Sequence, residues 1–162
     1  MNARWPLLVA FGSGLLGSGC ESGGAPPAPA PAAAPRVITL DTHVDIPLDF
    51  ATPNVDPATG NLQVNLDKMK EGGFDAAFFI VYVEQTARTD GGYGRAHADA
   101  VTKFEAIHRM AEQLYPDRIE IAYTSNDVAR IVNTGKLVAA IGVENGYSLG
   151  RNLENVEHFH EL

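Results

Sequence analysis

Cysteine is nearly absent from the 162-residue chain, which carries a single thiol at Cys20. One cysteine excludes a disulfide within the chain, so no such cross-link can stabilise the fold. Basic residues are also few, because 12 Lys and Arg stand against 20 Asp and Glu, giving a formal net charge of −8. Nucleic-acid binding needs clustered Lys and Arg to neutralise phosphates, so this balance argues against a nucleic-acid partner.

The N-terminal stretch has the layout of a secretory signal. A weakly basic start over residues 1–4 precedes an apolar run over residues 5–16, which is too short to cross a membrane as a helix. Small residues then lead directly into Cys20, which resembles the bacterial lipoprotein signal, in which the cysteine is lipidated. We predict a signal peptide over residues 1–19 and a Cys20 lipid that tethers the exported protein in the bacterial cell envelope, facing the periplasm or the surface. An ordinary cleaved signal with an incidental cysteine is the alternative.

Residues 20–35 are rich in Pro and Ala and contain no pattern that could build a core. Proline restricts the backbone to extended conformations, so this segment predicts a semi-rigid linker. Residues 36–162 remain for the folded part, and their number suits a single domain.

Strand-like and helix-like patterns alternate from residue 36 onward. Strands are predicted over 36–45, 74–83, 119–124 and 137–143, helices over 65–71, 95–115, 125–133 and 152–162, and a glycine-rich loop over 91–94. This alternation favours an α/β fold with a parallel sheet. A small doubly wound sheet fits, and so does the N-terminal half of a (β/α)8 TIM barrel, truncated after about four βα units. A barrel takes about 250 residues, so the second architecture requires an incomplete sequence.

Three potential metal ligands follow predicted strands. His43 and Asp45 end the first strand, and their spacing of two places both side chains on one face. Glu144 directly follows the strand over 137–143, and the carboxyl ends of parallel strands meet at one edge, where sites form. Imidazole and carboxylate groups are good zinc ligands. A hydrogen-bonded His-Asp pair and a solvated Glu are the alternatives that these residues leave open.

Two segments carry a resemblance to a known family. Residues 41–47 (DTHVDIP) are similar to the opening His-x-Asp motif of the membrane dipeptidases, the renal dipeptidase-like family of zinc metallopeptidases. Residues 141–149 (IGVENGYSL) resemble the second signature of that family, which surrounds a metal-bridging glutamate. The two motifs occur in order and at a family-like separation, and the similarity covers residues 36–162.

The resemblance implies a metal-dependent-hydrolase-type barrel that binds two zinc ions and hydrolyses dipeptides to free amino acids through a metal-bridging hydroxide. By resemblance, His43 and Asp45 bind one zinc ion and Glu144 bridges both. Two further histidine ligands, a substrate-contacting histidine and a carboxylate-binding arginine are expected beyond Leu162. This chain is therefore expected to carry only the first part of the dinuclear site and to be inactive alone. A homodimer is left open.

Two other functions stay open. One is a lipid-tethered, non-catalytic binding protein derived from the same fold. The other is a different metal-dependent amidohydrolase, although such barrels commonly open with His-x-His, and the His-x-Asp motif of this chain counts against them.

The remaining candidates are interpreted as structural. His158 and His160 lie two residues apart in a predicted helix, where such side chains do not face each other, so a surface position is expected. His97 is expected in solvent at the start of the long helix. His108 is expected to be a partly buried helix residue with satisfied hydrogen bonds. Asp41 shares a face with His43 and Asp45 and is expected to make an ordinary hydrogen bond, with support of a metal ligand as the alternative.

Overall fold

A computed structural model describes residues 36–162, so the predicted signal peptide, linker and Cys20 lie outside the described residues. The elements in chain order are β1 (Leu40–Asp45), α1 (Leu66–Gly72), β2 (Ala76–Tyr82), α2 (Asp90–His108), a π-helix (Arg109–Leu114), β3 (Ile119–Ile121), α3 (Ser125–Asn133), β4 (Leu137–Glu144), a 3-10 turn (Tyr147–Leu149) and α4 (Glu154–Glu161). Among residues 36–162, no helix combines the length and apolar composition needed to cross a bilayer.

The four strands form one parallel sheet in the order β1-β2-β4-β3. β2 and β4 pair in continuous register from Ala76 opposite Val138 to Tyr82 opposite Glu144. The short strand β3 lies outside β4 and pairs only with its first three residues, Leu137–Ala139. The predicted parallel α/β fold is therefore confirmed, and all four strands point their carboxyl ends toward the same edge.

The sheet is buried on both faces at its centre, as the continuous apolar run of β2 predicts. Phe79 and Val81 pack in the larger core together with side chains of α2, including Phe104 and Ile107. Ala76 of β2 and side chains of α3 and β4 form a smaller cluster whose buried members include Ile131, Val132 and Val138. Each large apolar side chain removed from water contributes about 1.5–3 kcal/mol, so these two layers hold the sheet in place.

The predicted glycine-rich loop is wrong, because Gly91, Gly92 and Gly94 lie inside the first turns of α2. The helix begins after Thr89, whose side chain accepts a hydrogen bond from the backbone N–H of Gly92 at 3.1 Å. A Cβ at Gly92 would lie only 2.2 Å from the carbonyl oxygen of Ala87, so close packing explains a glycine there. N-capping and packing thus outweigh the low helix propensity of glycine.

Candidate metal centre

His43 and Asp45 stand at the carboxyl end of β1, where the strand is irregular. Its pairing with β2 shifts register between Asp41 and Val44. Val44 is buried in the core, whereas the side chains of His43 and Asp45 are 49% and 72% exposed. The carboxylate of Asp41 accepts the backbone N–H of His43 at 3.0 Å, which is the ordinary hydrogen bond expected for this residue. Successive side chains of a strand point to opposite faces, so burial of Val44 leaves both predicted ligands on the solvent-exposed face.

Glu144 is the last residue of β4, and its carboxylate meets His43 at the edge of the sheet. The Nε2 atom of His43 lies 3.3 Å from Oε2 of Glu144 and 3.4 Å from Oδ1 of Asp45. One ligand atom from each residue lies within 4.8 Å of the other two. The structure thus brings together all three residues that the sequence singled out as metal ligands.

The donor set fits a zinc-type ion in chemistry, and the two separations from His43 also fit in spacing. It offers one imidazole nitrogen and two carboxylates, which are ligands that zinc accepts. Bonds of about 2.0–2.2 Å in tetrahedral geometry separate ligand atoms by roughly 3.4 Å. The 3.3 and 3.4 Å separations from His43 to the two carboxylates agree with that value. The partial exposure of all three side chains leaves room for further ligands.

Lys103 lies behind this cluster as a buried cation that the sequence analysis missed. The residue is 7% exposed, and its ammonium donates a hydrogen bond to the carbonyl oxygen of Ile46 at 2.6 Å. The same ammonium lies 5.8 Å from the ring centre of Tyr82, which pairs with Glu144 across the sheet. Lys103 therefore contacts Ile46, the residue after Asp45, and Tyr82, the residue opposite Glu144.

Two opposing effects act on the charge of this lysine. Burial lowers the pKa of Lys103, because a low-dielectric surrounding disfavours the ammonium form. The nearby carboxylates of Asp45, Asp99 and Glu144 act in the opposite direction and raise the pKa. The sequence pattern could have indicated a buried lysine, since Lys103 falls on the helix face that also carries Ala100, Phe104 and Ile107.

The connection between β1 and α1 is hydrogen-bonded to the segment that follows α2. The Nε atom of Arg109 donates to the carbonyl oxygen of Ala51 at 2.8 Å. The hydroxyl of Tyr115 donates to Oδ2 of Asp56 at 2.6 Å. This hydrogen bond lowers the pKa of the Asp56 carboxyl and raises the pKa of the Tyr115 hydroxyl. Two long-range bonds therefore fix the loop that follows the predicted ligands His43 and Asp45.

The other histidines stay outside the cluster. His158 and His160 are exposed on α4, as predicted. His108 is partly buried, with Nδ1 2.7 Å from Glu112 and Nε2 2.6 Å from the carbonyl oxygen of Leu162, which also agrees with the prediction. The prediction for His97 is wrong, because its ring is half-buried and stacks on His158 with 5.5 Å between ring centres.

Comparison with known proteins identifies the family. A model of the membrane dipeptidases, peptidase family M19, matches residues 30–162. The fungal protein Dipeptidase tcpJ of Claviceps purpurea is 31% identical over 103 residues, which cover 61% of this chain and 24% of that relative. The chain thus spans about a quarter of the length of this curated relative.

Solved structures share the fold. The probable dipeptidase PvdM from Pseudomonas aeruginosa superposes with a TM-score of 0.70 at 23% identity, covering 76% of this chain and 32% of that protein. A metallopeptidase from Rhodobacter sphaeroides, liganded with a phosphinate mimic of the dipeptide L-Ala-D-Ala, gives a TM-score of 0.59 at 18% identity, covering 77% of this chain and 43% of that protein. The four parallel strands match part of the TIM barrel of these proteins, as the sequence predicted. The chain belongs to the membrane dipeptidase family, peptidase family M19.

Proposed function

We propose that this chain contributes the first metal ligands of a zinc-dependent dipeptidase, which hydrolyses dipeptides to free amino acids. The observation that carries the proposal is the convergence of His43, Asp45 and Glu144 at one edge of the sheet. Family membership supports it, because the relatives are dipeptidases and metallopeptidases. The activity, the substrate and the partners of the whole protein are part of this proposal.

Each of the three residues has a distinct task. On this proposal His43 and Asp45 would hold one zinc ion from the end of β1, and Glu144 would hold both ions of a dinuclear site from the end of β4. Bound zinc supplies a Lewis acid that lowers the pKa of water and polarises the scissile carbonyl. The protein supplies the charge that attracts the cations, since two carboxylates lie beside one imidazole. The hydrogen bond from the His43 backbone to Asp41 fixes the strand that presents the imidazole.

A dipeptide is the substrate that the family relationship favours. The Rhodobacter metallopeptidase of the same fold is liganded with a phosphinate mimic of L-Ala-D-Ala, and a tetrahedral phosphinate imitates the hydrated amide that forms during hydrolysis. Membrane association agrees with the name of the family. For this chain we propose a signal peptide over residues 1–19, a lipid on Cys20, a linker over residues 20–35 and the dipeptidase fold over residues 36–162.

A zinc titration of the purified chain tests the metal site. Zinc binding is measured by competition with a chromophoric chelator, for the wild type, Glu144→Gln and the control Glu105→Gln. Glu105 is an exposed carboxylate on α2, so its loss removes the same charge away from the cluster. We expect Glu144→Gln to weaken zinc binding by at least about tenfold and Glu105→Gln to have no effect.

The same substitution tests catalysis in the complete protein. Glu144→Gln is expected to abolish most dipeptide hydrolysis, because a neutral amide would replace the carboxylate that would hold zinc at the end of β4. Near wild-type turnover of the variant would contradict the bridging role. Tight peptide binding that a chelator leaves unchanged would instead favour a non-catalytic binding protein.

A further inference from the structure

The residue after Glu144 has an unusual backbone conformation. Among residues 36–162, only Ala51 and Asn145 are non-glycine residues with positive φ, and φ is 60° at Asn145. Side chains with a Cβ rarely occupy this left-handed region, although Asn tolerates it better than most. The chain therefore turns sharply away from the sheet directly after the carboxylate of Glu144.

The side chain of Asn145 ties this turn to the neighbouring strand. Its Nδ2 atom donates to the carbonyl oxygen of Val83 at 3.2 Å, and its Oδ1 atom accepts the backbone N–H of Tyr147 at 2.9 Å. The regular pairing of β2 and β4 ends with Tyr82 opposite Glu144. The Asn145 amide therefore continues the connection between the two strands by one further position, where the backbone of β4 has already turned away.

Tyr147 provides a second connection between the same two segments. Its hydroxyl donates to the carbonyl oxygen of Ala87 at 2.6 Å and lies 3.1 Å from Oγ1 of Thr86. Its ring is nearly buried and packs against Tyr93, with 4.9 Å between ring centres. The segment after β4 is thus hydrogen-bonded to the segment after β2 at both Asn145 and Tyr147. Glu144 directly precedes this fixed segment.

We propose that Asn145 is a positioning residue that holds the Glu144 carboxylate toward His43. The inference rests on the proposed zinc site and adds the reason why Glu144 keeps one direction at a half-exposed strand end. Without the amide bridge, the backbone after Glu144 can rotate, and the carboxylate samples positions away from the imidazole. In this role the Asn145 amide acts through the backbone, since Nδ2 donates to the carbonyl oxygen of Val83 and Oδ1 accepts the N–H of Tyr147.

Replacement by glycine separates the side-chain bridge from the backbone conformation. Glycine adopts positive φ freely, so Asn145→Gly keeps the turn and removes only the amide. We expect zinc binding, measured by chelator competition, to weaken by about tenfold relative to the wild type. Asn145→Ser removes the amide without adding charge, and we expect a loss of the same order. This variant gives a second test if the glycine variant does not fold.

A control variant distinguishes positioning from general destabilisation. Val132 lies in α3 and is buried in the smaller core cluster, so Val132→Ala is expected to lower the melting temperature without changing the loop after Glu144. We expect Val132→Ala to keep wild-type zinc affinity when folded, whereas Asn145→Gly loses affinity at an equal or smaller loss in melting temperature. Zinc affinity of Asn145→Gly and Asn145→Ser within twofold of the wild type would overturn the positioning role. Absence of zinc binding by the wild type would overturn the metal site itself, which is a different result.

Discussion

The imidazole of His43 and the carboxylate of Glu144 meet at 3.3 Å across the end of β2, which separates their two strands in the sheet. Adjacent strands lie about 4.8 Å apart, so β1 and β4 are roughly 10 Å from each other. Only side chains that lean over the end of the middle strand can close this gap. The contact therefore depends on the parallel register that brings Tyr82 and Glu144 level at the edge.

Removal of the imidazole is the first test of this contact. His43→Ala takes away the nitrogen that lies near both carboxylates, so we expect zinc affinity to fall by at least about tenfold. His160→Ala is the matched control, because His160 is exposed on α4. Isothermal titration with zinc measures both variants. Equal affinities in the wild type and His43→Ala would contradict the assignment of His43 as a ligand.

Loss of the buried ammonium of Lys103 is expected to destabilise the fold. Lys103→Met keeps the aliphatic length and leaves the carbonyl oxygen of Ile46 without its donor. An unsatisfied buried acceptor costs about 1–3 kcal/mol, so the free energy of unfolding in urea should fall by that amount. Lys70→Met, at an exposed position of α1, should change it little. A Lys103→Met variant as stable as the wild type would show that the hydrogen bond contributes nothing.

The hydrogen bond between Tyr115 and Asp56 predicts a pH dependence of stability. The pKa of Asp56 is lowered from 3.8 in the folded protein, chiefly by the Tyr115 hydroxyl, so its stabilising contribution is present above 3.8 and is lost as the pH falls through the folded pKa. The pKa of Tyr115 is raised from 10.0, so its contribution is present below 10.0 and is lost as the pH rises through the folded pKa. Urea unfolding across the acid range measures the first effect.

Tyr115→Phe should reduce the free energy of unfolding at neutral pH and also reduce the loss on acidification below 3.8. Both changes follow from removal of the same donor. A parallel shift of the whole pH profile would mean that Asp56 keeps its low pKa through its bonds to the backbone of Ala58 and Thr59.

The N-terminus of α3 offers a test that leaves the metal site untouched. Thr124 and Asp127 form a reciprocal capping box, in which each side chain accepts the backbone N–H of the other. Thr124→Ala should lower the free energy of unfolding by about 0.5–2 kcal/mol. Zinc affinity should stay unchanged. Ser125→Ala is the control, since Ser125 is the first residue of α3 and the cap lies at Thr124.

Two glycines in α2 should respond in opposite directions. A Cβ at Gly92 would lie 2.2 Å from the Ala87 carbonyl oxygen and 2.6 Å from the Tyr147 hydroxyl, so Gly92→Ala should cost about 1–3 kcal/mol. Nothing lies within 4 Å of a Cβ at Gly94, and Gly94→Ala should stabilise the helix by about 0.5–1 kcal/mol. Thermal unfolding measures both. A stabilising effect at Gly92 would contradict the close packing of this turn.

Local patterns in the sequence were sufficient to predict most of the helices and strands. The strands predicted over residues 74–83 and 137–143 contain or closely match β2 and β4, because a continuous apolar run is typical of a strand buried on both faces. The helix predicted over residues 125–133 coincides with α3, since its start carries local capping residues. The predicted start of the long helix at residue 95 was wrong, because propensity alone does not include the contacts at Gly92.

Candidate ligands could be predicted for a related reason. Polar residues at the ends of buried parallel strands lie at the same edge, so the sequence pattern alone groups His43, Asp45 and Glu144. Their metal-binding role stays a prediction until zinc is titrated. The sequence by itself therefore determined the α/β class, the buried strands and the residues available to a metal.

The tertiary structure decided which distant residues support that edge. The order β1-β2-β4-β3, the buried Lys103 beneath Ile46, and the Asn145 bridge to Val83 are contacts between segments far apart in the chain. Periodicity, capping and turn preferences act over a few residues, whereas these contacts depend on which strands pair and how the helices pack on them. A polar side chain on an apolar helix face or after a strand end finds its partner only once the sheet has formed.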